Sequence, residues 1–90
     1  MREVELTLYS KPDCPLCVEM EEELSNASRG LTVKVTKIDI TKDPELEKKY
    51  ALEVPLLTHG GERLARHRAD ERTLAAKLRK MASVGLGGAG

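Results

Sequence analysis

The chain contains no tryptophan and no phenylalanine, and Tyr9 and Tyr50 are its only aromatic residues. A core built on aromatic rings is excluded, so burial must rest on Leu, Val, Ile and Met. For 90 residues that makes a thin core and a single domain near the small end of what folds unaided. Net charge is also missing, because 15 Lys and Arg balance 15 Asp and Glu. That balance predicts no nucleic-acid partner, and the charged residues read as a solvated surface. No apolar run approaches the roughly 18 residues a membrane helix needs, so no membrane contact is expected. The start carries acids at Glu3 and Glu5 and no apolar h-region, which predicts no secretory leader and a cytoplasmic address by default. Cysteine occurs at two positions only, Cys14 and Cys17, within the stretch SKPDCPLC. Such a pair can clip a metal, form a static staple or carry electrons. In a reducing cytosol the first and last uses outweigh the staple.

What is present punctuates the chain clearly. In EVELTLY, residues 3–9, Val4, Leu6 and Leu8 alternate with Glu3, Glu5 and Thr7, the period of a strand. From Pro15, Leu16, Met20, Leu24 and Ala27 recur at helical spacing, Glu19 and Glu21–Glu23 crowd the early and middle turns, and Gly30 stands where the helix should end. Residues 32–39 are rich in β-branched side chains and predict a second strand. Its apolar phase slips between Val35 and Ile38, which predicts a bulge or an early end. Asp43-Pro44 reads as a cap followed by proline at the first helical position, opening a short helix to about Tyr50. A third strand is expected over 54–58, a turn at His59-Gly60-Gly61, and a fourth strand over 62–68. Asp70 should cap a last helix with Leu74, Leu78 and Met81 inward and Arg72, Lys77, Arg79 and Lys80 outward. The expectation is one domain over 1–84 and a flexible glycine-rich tail over 85–90. The order β-α-β-α-β-β-α predicts an α/β fold. The first two strands should be parallel neighbours in a four-stranded mixed sheet with helices on both faces.

Cys14 falls at the junction of the first loop and the first helix. Unpaired N–H groups and a partial positive charge at a helix start stabilise a thiolate, so the Cys14 pKa should fall below the free value of about 8.5. Cys17 lies one turn on, near enough for a disulfide, and Pro15 fits a position where its missing N–H costs nothing. Lys11 can add positive charge near the thiolate, and Asp13 opposes it. The chemistry that follows is exchange: Cys14 attacks a disulfide to form a mixed disulfide, and Cys17 resolves it. The alternative is a zinc-binding or adaptor module using the two thiols as ligands. A closed zinc site needs four ligands, and the only imidazoles, His59 and His67, lie in the distant hairpin.

LTLYSKPDCPLC resembles the active-site segment of glutaredoxins, in which a strand leads into Ser/Thr-Lys-x-x-Cys-Pro-x-Cys. EVPLLTHGGERL resembles their later segment, where a cis proline after valine opens a strand. The resemblance spans about residues 3–82 and implies a thioredoxin fold. It further implies a thiol-disulfide oxidoreductase with Cys14 as nucleophile, Cys17 as resolving thiol and Pro55 as a cis proline facing them. Lys11 matches the family lysine that contacts the glutathione carboxylate. The backbone N–H and C=O of Val54 would then pair with an incoming peptide. Implied substrates are protein disulfides and also glutathione mixed disulfides, with thioredoxin reductase or glutathione as reductant, in a monomer that needs no cofactor and no metal. The departures lie around glutathione. Leu16 replaces the usual aromatic residue, Glu53 replaces the Thr before Val-Pro, and Ala65-Arg66-His67-Arg68 replaces Gly-Gly and its acids, with Asp70 displaced. Glutathione is expected to bind poorly. The pattern is closer to the short glutaredoxin-like proteins of bacteria and archaea than to a standard glutaredoxin, and the Trp-Cys-Gly-Pro-Cys of thioredoxin is absent.

Overall fold

The alternation of residues 4–10 is carried into the structure without change. Val4, Leu6, Leu8 and Ser10 are buried while Glu5, Thr7 and Tyr9 face the other way, so β1 (Val4–Ser10) presents one fully covered face. The computed structural model describes residues 3–87. After β1 come α1 (Pro15–Ala27), β2 (Val33–Asp39), a 3-10 turn (Ile40–Lys42), α2 (Pro44–Tyr50), β3 (Leu56–His59), β4 (Glu62–Arg66) and α3 (Glu71–Gly87). The strands form one mixed sheet in the order β2-β1-β3-β4, with β1 parallel to β2 and antiparallel to β3. This is the expected α/β architecture. No helix among the described residues is long and apolar enough to cross a membrane.

The main core lies between one sheet face and the helices α1 and α3. Leu6, Leu8 and Leu57 meet Met20 and Leu24 of α1 and Leu74 and Leu78 of α3 there. Each such leucine, fully withdrawn from water, contributes about 1.5–3 kcal/mol. The helical stripes differ slightly from expectation. On α1 Cys17 is buried where Leu16 is half-buried, and on α3 Ala82 is buried where Met81 is half-buried. The opposite sheet face carries Tyr9 and its register partner Leu56, and α2 covers this end through Tyr50, whose ring centroid lies 4.5 Å from that of Tyr9.

That second face explains β2. Its pairing with β1 runs from Val4↔Val33 to Ser10↔Asp39 without a break, so the expected bulge or early end is absent. Val33 and Val35 are in register with Val4 and Leu6 on the α1 side, whereas Ile38 is in register with Tyr9 on the α2 side. The apolar phase slips because helices lie on both faces, not because the backbone does. The bulge belongs to the hairpin: Leu57 pairs with Ala65 but Thr58 with Arg63, so Leu64 is the extra residue. The hairpin turn is the two residues Gly60 and Gly61, with φ of 56° and 87°, a type I′ geometry open to glycine, while His59 stays in the strand. β3 opens at Leu56 and β4 closes at Arg66, inside the expected limits of 54 and 68. α3 continues through Gly87, so residues 85–87 of the expected tail are helical, and 88–90 lie outside the described residues.

Candidate active site

β1 delivers the chain to Ser10 at the sheet end, and the loop of Lys11, Pro12 and Asp13 turns it into α1. Asp13 has φ of 53°, the left-handed region that aspartate tolerates better than most residues. Cys14 then caps α1 in extended conformation, with φ of −117° and ψ of 100°, and Pro15 supplies the first helical turn. The Cys14 Sγ accepts the Cys17 N–H at 3.2 Å, and the Cys14 carbonyl accepts from Cys17 at 3.0 Å and Val18 at 3.2 Å. Cys14 and Cys17 form a disulfide, with Cα atoms 5.2 Å apart. The two cysteines are unequal: Cys14 is half-buried, and Cys17 is 3% exposed.

Cys14 and Lys11 border the same surface hollow of about 580 Å³, together with Pro15, Val18, Glu21 and Lys37. Lys37 is paired with Glu21 at 3.1 Å, while Lys11 is exposed. Val54 and Pro55 do not border this hollow; both are buried. They reach the same end of the sheet because Leu56, the next residue, is in register with Tyr9. The Val54–Pro55 bond is cis. The expectation for Val54 needs one correction. Its N–H donates at 3.2 Å to the carbonyl of Tyr50, the last residue of α2 and four residues earlier, which also accepts the Glu53 N–H at 2.8 Å. Only the Val54 carbonyl carries no backbone N–H from the described residues.

Flanking this strand opening is a charged cluster whose members the sequence names but does not connect. Glu53 receives Arg63 in a fork, Nε to Oε1 at 2.8 Å and the terminal N–H to Oε2 at 3.1 Å, with Arg66 at 3.9 Å from Oε1. The Arg63 hydrogen bond, more than the surrounding positive charge, holds the Glu53 carboxyl below its usual range. Residues three apart in a regular strand face opposite ways, yet Arg63 and Arg66 both face Glu53. The bulge at Leu64 puts them there, pairing Arg63 with Thr58 and Arg66 with Leu56 on one face. His67 follows, its Nε2 2.7 Å from the Leu52 carbonyl and its backbone N–H 2.8 Å from the Pro55 carbonyl. The only hint in the sequence was Glu53 standing where the resembling family has Thr. On the Tyr9 side, burial above all pushes the hydroxyl pKa up, helped by Tyr50. Among the described residues, no group of three or more His, Cys, Asp or Glu is placed to hold a metal.

A parallel β-α-β unit, an antiparallel hairpin and a dithiol at the first helix start define a thioredoxin-fold protein of the dithiol class. More narrowly, residues 5–79 match the Glutaredoxin-like domain (DUF836), and the chain belongs to that family. The X-ray structure of Northeast Structural Genomics target protein XcR50 from X. campestris is similar at 35% identity and a TM-score of 0.68, covering 83% of this chain and 96% of that one. Thioredoxin-2 of a malaria parasite shares the fold at 22% identity and a TM-score of 0.60, over 87% of this chain and 82% of its own. So does the germline-specific thioredoxin Deadhead of Drosophila melanogaster, at 26% identity and 0.56, over 87% and 80%. Family, fold and the Cys14–Cys17 disulfide together support a redox function.

Proposed function

We propose that the protein is a dithiol–disulfide oxidoreductase acting on protein disulfides, with Cys14 as nucleophile and Cys17 as resolving thiol. The observation that carries this reading is the inequality of the two cysteines. Cys14 Sγ stands at the helix start and accepts an amide N–H, while Cys17 is 3% exposed. In the reduced protein the Cys14 thiolate attacks one sulfur of the target disulfide. A mixed disulfide forms and one target thiolate leaves. The Cys17 thiolate then attacks the Cys14 sulfur, the second target thiolate leaves, and the Cys14–Cys17 disulfide remains. Two electrons and two protons pass to the target, and an external thiol donor, thioredoxin reductase or glutathione, restores the dithiol. Lys11 adds positive charge beside Cys14.

Three observations support a protein as substrate over glutathione. Val18, bordering the hollow beside Cys14, is 55% exposed, an apolar rim that suits a polypeptide better than a small polar ligand. The Val54 carbonyl is an open acceptor for an incoming backbone N–H. The Glu53 carboxylate, where glutaredoxins have Thr, is held by Arg63. The protein acts as a monomer in the cytoplasm. Comparing insulin disulfide reduction with turnover of a glutathione mixed disulfide tests the reading. Clear activity on the first and weak activity on the second are expected; the reverse overturns it. Stoichiometric zinc in protein purified under reducing conditions overturns the redox reading altogether.

A further inference from the structure

The segment Leu52–Pro55 joins α2 to β3, and three of its four residues are tied to β4 or to the turn behind it. Glu53 is held by the Arg63 fork, and Leu52 and Pro55 are both held by His67. A carbonyl oxygen only accepts, so the His67 Nε2 at 2.7 Å from the Leu52 oxygen carries the proton and donates it. The backbone of His67 is unusual in the same place. Its φ is 68°, and the Arg68 N–H folds back onto the Arg66 carbonyl at 2.7 Å, closing a three-residue turn around His67. A β-carbon at positive φ is disfavoured, and such strain persists only where surrounding contacts hold it. Here the turn aims two donors of one residue, backbone N–H and ring N–H, at carbonyls that bracket Glu53 and Val54.

We propose that His67 is a positioning residue for disulfide exchange: by fixing Leu52 and Pro55 together it fixes the Val54 carbonyl that receives the substrate backbone. This rests on the protein-disulfide reading above. Attack on a disulfide needs three sulfurs in line, so the rate depends on where the docked peptide lies relative to Cys14. A displacement of about 1 Å in a docking element can cost as much as about a hundredfold. His67 does not border the hollow around Cys14 and takes no part in bond making.

Two variants separate this role from general stability. His67→Gly takes the same backbone conformation without strain and keeps the backbone N–H, but loses the ring. His67→Gln keeps a side-chain N–H within reach of the Leu52 carbonyl. Each is measured for the rate of insulin disulfide reduction, which needs docking, and for the rate of Cys14 alkylation by iodoacetamide, which does not. His67→Gly should slow insulin reduction about tenfold and leave alkylation unchanged, and His67→Gln should recover most of the loss. Long-range 1H–15N spectra at mildly alkaline pH should show the Nε2–H tautomer. The role is overturned by a glycine variant as fast as wild type on insulin, by parallel loss of both rates, by a glutamine variant as slow as the glycine one, or by the Nδ1–H tautomer. Wild-type inactivity on insulin overturns the protein-disulfide reading and this role with it; an active wild type with an equally active His67→Gly overturns this role alone.

Discussion

Two helices of this protein begin alike, α1 with Cys14-Pro15 and α2 with Asp43-Pro44. Both caps are extended, with φ and ψ of −117° and 100° at Cys14 and −136° and 110° at Asp43. Both side chains accept N–H groups of the first turn: Asp43 from Glu45 at 2.9 Å and Leu46 at 3.4 Å, Cys14 from Cys17 at 3.2 Å. In both helices the proline stands where its missing N–H would have had no partner. At α2 the acceptor is a carboxylate oxygen that does nothing but hold amides. At α1 it is a sulfur, whose electron pair goes either to the amides or into a bond with another sulfur. The same local geometry thus holds a carboxylate oxygen in one place and a disulfide-forming sulfur in the other. The atom supplied is the whole difference.

The sharpest way to break that comparison is to make the two starts chemically equal. Cys14→Asp should keep α1 capped and the far-ultraviolet circular dichroism unchanged, while insulin reduction falls to background; residual exchange would mean that Cys17 attacks by itself. Cys17→Ser leaves the proposed nucleophile and removes the proposed resolving thiol, so mixed disulfides should accumulate on Cys14 and be visible by intact mass. A smaller effect is expected at the purely structural start. Asp43→Ala should lower unfolding stability by about 1 kcal/mol, read from denaturant midpoints, with exchange rates unaltered.

The smallest effect concerns charge alone, at a third cap. Asp70 accepts the Thr73 N–H at 3.0 Å and its hydroxyl at 2.8 Å, and these bonds, the backbone one foremost, hold its carboxyl below the ordinary 3.8. A depressed folded pKa means stability that is present above the unfolded value and lost as pH falls through the folded one. Asp70→Asn should therefore be less stable than wild type at neutral pH. The difference should shrink as pH falls below 3.8. A gap that persists at low pH would assign the effect to geometry rather than charge.

Local features were legible along the chain because their causes are local. The alternation in β1, the Gly60-Gly61 turn, the caps Asp43 and Asp70 and the cysteine pair each depend on neighbours within one turn or one strand. The misreadings came where a residue answers to something distant. Ile38 looked out of phase because its partner face is covered by α2, not α1. The Val54 N–H looked free for substrate because only the folded chain shows the end of α2 above it.

The sequence by itself determined the dithiol. Three residues make nearly one helical turn, so Cys14 and Cys17 meet wherever that helix forms, and a proline after Cys14 makes it form there. Tertiary structure alone decided what surrounds the segment Leu52–Pro55. Arg63 reaches Glu53 across 10 residues, and His67 reaches Leu52 across 15. No helical or strand period links such positions; the register of β3 against β4 does. That register is shifted by the bulge at Leu64, which turns Arg63 and Arg66 to the same face. A single extra residue in one strand inverts the facing of the side chains beyond it, and only the paired strands show where that residue falls.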